Sequence, residues 1–307
     1  MKRLLIQAGA ESERWRQAFA AALPDWHCLD HRAEPASIDV IAGWAPAADA
    51  LRPFTGLKLY AALGAGVDRL LARSDLPPEV LLLRLHDAGM AEQMLEYALL
   101  GVLAWQRQLR AYAELQARAE WQRLPPRTRR QTRVGVLGLG EIGGRVASGL
   151  AAMGYTVSGW SRNPRQCPGV DCMAGMAALP QLLARSDVLI NLLPSTPATR
   201  GLLDRERLAQ LPQGAVLVQA SRGDQFDAEA LIECLDRGHL ELALLDVFAI
   251  EPLPASSPLW RHPRIRITPH AAAITLIEPA VAQLCADLRR WERGERPLAL
   301  VERARGY

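Results

Sequence analysis

Cysteine is scarce and scattered in this chain. Its five residues, Cys28, Cys167, Cys172, Cys234 and Cys285, form no Cys-x-x-Cys pair, and their number is odd. That pattern excludes a disulfide framework and a zinc ligand set. Cys167 and Cys172 are separated by four residues without an accompanying His or Cys pair at ligand spacing, so no metal is expected. Lysine is rarer still: Lys2 and Lys58 leave arginine to carry nearly all of the 36 basic side chains. Neither sign of charge dominates, because 33 acidic residues leave a net charge of +3, too little excess to indicate nucleic acid. No apolar run approaches the ~18 residues of a membrane-spanning helix. The run Leu4-Leu5-Ile6 is too short for a signal peptide's apolar segment and reads as a first β-strand. Free thiols fit a reducing cytoplasm, with neither nucleic acid nor membrane as a partner.

What is present is an ordinary globular composition, 50% apolar and 22% charged over 307 residues, a length that implies two domains with separate cores. The most informative stretch lies mid-chain: Val134-Gly135-Val136-Leu137-Gly138-Leu139-Gly140-Glu141-Ile142-Gly143. A short apolar run enters a Gly-x-Gly-x-x-Gly turn, and a helix-compatible segment follows, which is the context a dinucleotide-binding fingerprint requires. Gly138 permits the tight turn, Gly140 lets backbone approach a diphosphate, and Gly143 lets the helix pack against the strand. The diphosphate would rest on the helix N-terminus.

Strands are expected at residues 4–7, 38–42, 57–62 and 80–83, with helical pieces at 13–23 and 67–71 between them. Residues 91–115 read as one long helix, its apolar spacing interrupted only by Gly101. Residues 121–131, with Pro125, Pro126 and several arginines, read as an exposed loop. From Arg133 the alternation becomes regular. Strands are expected at 134–137, 156–160, 187–193, 215–220, 241–247 and 265–268, and helices at 141–153, 177–185, 204–210, 227–237 and 276–293. Six strands in that rhythm predict a doubly wound parallel α/β sheet. The boundaries expected are 99–277 for this domain, with 1–98 and 278–307 forming a smaller second α/β domain.

Three residues separate a reductase from a mere nucleotide binder. Arg222, Glu251 and His270 each follow a predicted strand, so each falls at the carboxyl edge where open α/β sheets bind ligands. A guanidinium can hold a substrate carboxylate in fork geometry. An imidazole can protonate a carbonyl oxygen as hydride reaches its carbon. A neighbouring carboxylate fixes the imidazole's orientation and favours its charged form. In the first domain, the glycines flanking Ala65 in Gly64-Ala65-Gly66-Val67 can expose successive N–H groups to an anion. Arg84 would add positive charge nearby.

The order and spacing of Arg222, Glu251 and His270 resemble the D-isomer-specific 2-hydroxyacid dehydrogenase family, and the resemblance covers nearly the whole chain. Further matching pieces are Leu63-Gly64-Ala65-Gly66-Val67-Asp68, Gly89-Met90-Ala91-Glu92-Gln93-Met94, Ile190-Asn191-Leu192-Leu193-Pro194, Asp246-Val247-Phe248, Pro258-Leu259-Trp260 and Thr268-Pro269-His270-Ala271-Ala272-Ala273-Ile274-Thr275. The resemblance implies a Rossmann cofactor domain beside a flavodoxin-like substrate domain. It implies Arg222 as substrate-binding, Glu251 as partner of the histidine, His270 as acid and base, and Trp44, in Gly43-Trp44-Ala45-Pro46, as a pocket-lining aromatic. It implies cofactor contacts at Met94, Glu141, Ile142, Leu193, Pro194, Thr196, Ala220, Ser221 and Ala272, with Asp246 holding the nicotinamide carboxamide. The chain departs from the family at Gln219-Ala220-Ser221, a difference expected to alter packing only.

The second strand of the cofactor domain selects between NAD and NADP. An NAD-preferring fold places an acidic residue there for the ribose hydroxyls, whereas this chain reads Gly159-Trp160-Ser161-Arg162-Asn163-Pro164-Arg165. A hydroxyl and two guanidiniums suit a 2′-phosphate, so Ser161, Arg162 and Arg165 predict NADPH over NADH. The resulting expectation is an NADPH-dependent reductase of small 2-oxo acids, glyoxylate and hydroxypyruvate foremost, with the substrate carboxylate between Arg222 and the Gly64–Val67 backbone. The competing expectations are another D-2-hydroxyacid dehydrogenase, of D-lactate or phosphoglycerate type, and a nucleotide-sensing corepressor that binds other proteins. Excess apolar surface on 91–115 predicts a homodimer.

Overall fold

The computed structural model describes residues 2–306, which divide into two compact units, one running to Met90 and resuming at Thr275, the other spanning Ala91–Ile274. The first unit is a five-stranded parallel sheet. In chain order its elements are β1 (Arg3–Gln7), α1 (Ser12–Ala22), β2 (His27–Leu29), β3 (Val40–Gly43), β4 (Leu59–Ala62), α2 (Asp68–Leu71) and β5 (Leu81–Leu83). The spatial order β2-β1-β3-β4-β5 is the flavodoxin-like arrangement, with its reversal beside β1. β3 and β4 are buried at every position, as parallel strands covered on both faces must be. β2, which sequence reading missed, is a three-residue edge strand, His-Cys-Leu, with no apolar run to announce it. In α1, Trp15 and Phe19 sit one turn apart, stack at 6.2 Å between ring centroids and are almost wholly buried. Burial of side chains this size contributes about 2–3 kcal/mol each.

The second unit opens with α3 (Met90–Gln106) and α4 (Leu109–Ala117), and then alternates. Its elements are β6 (Arg133–Leu137), α5 (Glu141–Ala152), β7 (Thr156–Ser161), β8 (Asp171–Ala174), α6 (Leu179–Ala184), β9 (Val188–Asn191), α7 (Arg205–Ala209), β10 (Ala215–Gln219), α8 (Ala228–Asp236), β11 (Leu240–Leu245) and β12 (Ile265–Ile267). The order β12-β11-β10-β9-β6-β7-β8 is parallel throughout. Strand order reverses around β6, so the crevice at the carboxyl ends of β6 and β9 is the topological switch point of a doubly wound sheet. β8 is a seventh strand, again at an edge, where Asp171 and Cys172 stay partly exposed and no apolar run betrays it.

The single helix expected over 91–115 is two. Gln108 adopts φ 55° between α3 and α4, a left-handed backbone that no continuous helix accommodates. Nor is the following arginine-rich segment merely exposed. Arg127 lies 4.2 Å over the Trp105 ring and pairs with Glu241 at 3.0 Å, fastening the segment to its own unit. Beyond the second unit, α9 (Ile277–Glu292) returns the chain to the first. It buries Ile277, Ala280, Val281, Leu284, Cys285, Asp287 and Leu288 on one face. Asp287 accepts from the N–H groups of Leu298 and Ala299 at 2.5 and 3.2 Å. The strip they begin then runs antiparallel beside β5 through Leu300.

Candidate active site

The glycine turn after β6 has the form its sequence predicts. Gly138 takes φ 97°, and a Cβ there would stand 2.8 Å from the Leu192 carbonyl oxygen, so only glycine fits. A Cβ on Gly143 would lie 1.8 Å from the Gly138 oxygen, which is how close α5 packs to the strand. Gly140 differs: no atom lies within 4 Å of where its Cβ would stand. Gly140 is the residue that precedes the first turn of α5, whose N–H groups at Glu141, Ile142 and Gly143 have no helical carbonyl to bond. The arrangement fits a diphosphate held against backbone. The Glu141 carboxylate is turned along the helix to Arg145 at 3.0 Å.

At the end of β7 the Ser161 hydroxyl donates to the Asn163 carbonyl at 2.7 Å, and Arg162 and Arg165 are exposed. No carboxylate occurs from Gly159 to Arg165. Cys167 follows, with the Cys172 thiol in hydrogen-bond reach; burial and then that neighbour push the Cys167 thiol up, against the pull of Arg165. All five cysteines are free thiols. Across the switch point, Leu193 and Thr196 are buried and Pro194 is exposed. The Thr199 hydroxyl accepts from the Thr196 N–H at 2.8 Å and donates to the Pro194 carbonyl at 2.6 Å, which shapes this loop. Met94 and Ala272 lie within the core cluster that contains Val134, Val136 and Ile190, so both are packing residues of the sheet that carries the loops.

Arg222, Glu251 and His270 follow β10, β11 and β12, three adjacent strands of one sheet. His270 Nδ1 lies 2.9 Å from Glu251 Oε2. The other carboxylate oxygen, Oε1, accepts the Phe248 N–H at 3.0 Å, so Glu251 is braced before it meets the ring. Its side chain is 17% exposed, whereas that of His270 is 46% exposed: the partner is sheltered while the imidazole reaches solvent. With Nδ1 bound to a carboxylate, Nε2 is the nitrogen left to exchange a proton with a substrate oxygen. Arg222 has extended backbone and its Nη1 donates to the Ser221 carbonyl at 2.7 Å.

Sequence reading names Asp246 at this site but none of the hydrogen bonds it makes, and it misses Tyr97 as a supporting residue. Asp246, 1% exposed, accepts from the Thr268 hydroxyl at 2.6 Å and from the N–H groups of Ala271 and Ala272 at 2.7 and 3.0 Å. Thr268 also bonds the Tyr97 hydroxyl at 2.8 Å. Asp246 thus frames the loop that bears His270, whatever else its remaining lone pair binds. Gln219 corrects the expectation of a packing change only: it is wholly buried and joined by hydrogen bonds to Asn191, Ser221 and the Arg222 carbonyl. A buried amide is a polar commitment, because without partners it would lose its hydration for nothing. The signal was available in the sequence, as a glutamine closing an otherwise apolar central strand.

In the first unit, Trp44, Gly64, Ala65, Gly66 and Arg84 gather at the carboxyl ends of β3, β4 and β5. The space above Gly64 is filled by Trp44, whose ring edge would be 3.3 Å from a Cβ there. Trp44 packs edge-on against Trp15 at 6.4 Å and its carbonyl accepts the Tyr60 hydroxyl at 2.6 Å, yet the residue remains 42% exposed. Arg84 Nη1 approaches the Ala65 carbonyl at 3.5 Å. Glycine-bounded backbone, a guanidinium and an aromatic wall therefore share one edge of this sheet. Among the described residues no cluster of three His, Cys, Asp or Glu side chains could hold a metal ion.

The family of the D-isomer specific 2-hydroxyacid dehydrogenase NAD binding domain matches residues 99–272. A glyoxylate/hydroxypyruvate reductase A from Escherichia fergusonii is 41% identical, the match covering 95% of this chain and 96% of that protein. Its counterpart in Serratia proteamaculans is also 41% identical, with 96% of each chain covered. Among solved structures, a D-isomer specific 2-hydroxyacid dehydrogenase from Xanthobacter autotrophicus Py2, in complex with NADPH and MES, is similar with a TM-score of 0.94 at 40% identity, over 100% of this chain and 99% of that one. An NADPH-dependent glyoxylate/hydroxypyruvate reductase from Sinorhizobium meliloti, in complex with NADP and sulfate, gives 0.93 at 33% identity over 100% of both chains. Glycine turn, braced histidine and relatives agree: the chain belongs to the D-isomer-specific 2-hydroxyacid dehydrogenases.

Proposed function

We propose that this protein reduces small 2-oxo acids with NADPH, taking glyoxylate to glycolate and hydroxypyruvate to D-glycerate. The observation that carries the reading is the 2.9 Å pair of His270 Nδ1 with a Glu251 carboxylate already held by the Phe248 N–H. It delivers a histidine in one orientation, with Nε2 presented as proton donor. NADPH, when bound, supplies the hydride. His270 then gives its proton to the substrate's carbonyl oxygen while Glu251 stabilises the ring's charge beforehand. Arg222 binds the substrate carboxylate and polarises the adjacent carbonyl. Within the first unit, the Gly64–Gly66 backbone and Arg84 are anion-binding groups, and Trp44 is the aromatic wall beside them.

For the cofactor, Gly138, Gly140 and Gly143 with the first turn of α5 would hold the diphosphate. Ser161, Arg162 and Arg165 would receive the 2′-phosphate, with no carboxylate to repel it. Leu193, Pro194, Thr196, Ala220 and Ser221 border the same edge of the sheet, and Asp246 has a lone pair for the carboxamide. The relatives named for glyoxylate and hydroxypyruvate, and the neighbour solved with NADPH, support this choice of substrate and cofactor. Free thiols suit a cytoplasmic setting, and among the described residues no helix is long and apolar enough to cross a membrane.

The test is the loss of reduced-nicotinamide absorbance with purified protein and glyoxylate or hydroxypyruvate, NADPH against NADH. Turnover is expected with NADPH, and Arg162→Ala should raise the KM for NADPH about tenfold or more, the loss of one charged hydrogen bond, while leaving that for NADH alone. No turnover with any small 2-oxo acid would overturn the reading, and an Arg162→Ala variant with unchanged KM for both cofactors would overturn the NADP assignment.

A further inference from the structure

Between the cofactor-bordering loop and Arg222 lies a closed set of buried amides. Asn191 ends β9, Gln219 ends β10, and Gln225 lies in the turn after Arg222; all three are 0% exposed, and Ser221 is 6% exposed. Asn191 Nδ2 donates to Gln219 Oε1 and to Gln225 Oε1, both at 2.9 Å, and its Oδ1 accepts the Leu193 N–H at 3.2 Å. Gln219 Nε2 donates to Ser221 Oγ at 3.2 Å and to the Arg222 carbonyl at 2.7 Å. Ser221 Oγ donates to Gln225 Oε1 at 2.5 Å. Gln225 Nε2 donates to the carbonyls of Leu193 and Pro194 at 3.0 and 2.9 Å. Every side-chain N–H in the set has an acceptor and every amide oxygen a donor. Rotating any one amide by half a turn would set oxygen against carbonyl oxygen and N–H against N–H, so each has a single orientation.

The set ends on two backbone segments, and Gln219 serves the one that matters for substrate. Arg222 folds its guanidinium back onto the Ser221 carbonyl, so the aim of the side chain follows the 221–222 peptide. Gln219 holds the residues on either side of that peptide from within the sheet, through the Ser221 hydroxyl and through the Arg222 carbonyl of the next peptide, and Gly223 sits so close to Phe248 that a Cβ would be 1.9 Å from its carbonyl carbon. The hydrogen bond from Gln219 thus sets where the guanidinium can stand. We infer that Gln219 is a positioning residue for substrate binding, acting through Arg222. The inference rests on the reading of Arg222 as the carboxylate-binding group. It gives a polar task to the position where this chain departs from the family it resembles.

Gln219→Leu retains approximate volume but donates nothing. In the folded variant, judged by circular dichroism and thermal melting, the KM for glyoxylate should rise about five- to tenfold, the loss of one hydrogen bond's worth of positioning, while the Kd for NADPH shifts less than about twofold. Oxamate, an unreactive mimic of a 2-oxo acid, should lose affinity for the NADPH complex by the same factor in calorimetry. In an Arg222→Lys background Gln219→Leu should add no further rise, because residues that act through one group are non-additive. A role confined to stability would lower the melting temperature in both backgrounds and leave KM and oxamate affinity unmoved; that result, or an equal rise in KM in both backgrounds, overturns the inference. Should Gln219→Leu not accumulate, Gln219→Met, unbranched and of similar length, is judged by the same criteria. Wild-type protein that binds oxamate but turns over no 2-oxo acid would defeat the proposed reaction and leave oxamate affinity to decide on Gln219. Wild-type protein that binds no oxamate defeats both.

Discussion

His270 has φ 54°, a left-handed backbone that costs a non-glycine residue about 1–3 kcal/mol and persists only where surroundings impose it. The imposition is visible: its N–H donates to the carbonyls of Asp246 and Thr268 at 2.8 and 3.1 Å. That turn swings the ring from the end of β12 back toward Glu251. Asparagine tolerates the same backbone better than alanine, so His270→Asn removes the proton donor with least disturbance to the loop. Its kcat should fall about 10²- to 10⁴-fold, the range for a lost general acid, with the Kd for NADPH little changed; kcat within a few-fold of wild type would remove His270 from the chemistry. Glu251→Gln keeps an oxygen for the Phe248 N–H and should lose less than His270→Asn does. A contrasting residue is Cys285, whose thiol burial pushes up to about 12. A group so placed has almost no thiolate at neutral pH, and it takes no part in the site.

At the scale of elements, α5 and its glycine turn act as one part. Gly143→Ala would place a methyl 1.8 Å from the Gly138 oxygen, a backbone atom that cannot swing aside. The helix must move off β6, so a loss of about 1–3 kcal/mol of stability is expected for such overpacking, together with loss of NADPH binding; thermal melting and a fluorescence titration would show both. In the first unit the segment after α2 is held electrostatically. Arg73 and Asp75 pair at 2.7 Å with side chains only 8% and 4% exposed. Burial raises the Asp75 carboxyl, but the Arg73 guanidinium and the Leu51 N–H outweigh it and hold the group below its usual value. The depressed folded pKa means that the unfolded chain takes up the proton first. The pair therefore stabilises above the ordinary aspartate range, about pH 4, and that stabilisation is lost as pH falls through the folded value. Asp75→Asn should be less stable than wild type near neutrality, and the gap between their melting temperatures should narrow below about pH 4. A gap independent of pH would assign the pair a purely steric role.

At the scale of the whole molecule, the exposed apolar side chains of α3, α4 and the segment beyond call for a partner. Leu100, Leu103, Leu109 and Tyr112 are 53%, 39%, 55% and 38% exposed, and Trp121 is fully so. Side chains of this kind grouped along one stretch of chain mark an interface more often than bare surface. We propose that a second copy of the chain covers them. Light scattering should give twice the chain mass of 33.7 kDa, and Leu103→Glu should shift the population toward monomer. A monomeric wild type would refute the pairing.

Much of this protein was legible in one dimension because its signals are local. Strand, glycine turn and helix are specified within ten consecutive residues, and the steric demands of Gly138 and Gly143 are those of the turn itself. Central strands announced themselves as unbroken apolar runs because both faces of a parallel sheet are covered. The positions of Arg222, Glu251 and His270 followed from counting strands. Edge strands β2 and β8 were invisible, since a half-covered strand needs no apolar run, and the break at Gln108 was hidden by apolar spacing that both helices share. What only the tertiary structure decided is polar and long-range. The bonds from Asn191 to Gln219 and Gln225 cross 28 and 34 residues of sequence, and His270 meets Glu251 across 19. Hydrogen-bond partners depend on angle and burial at the place where strands converge, and residue order alone carries neither.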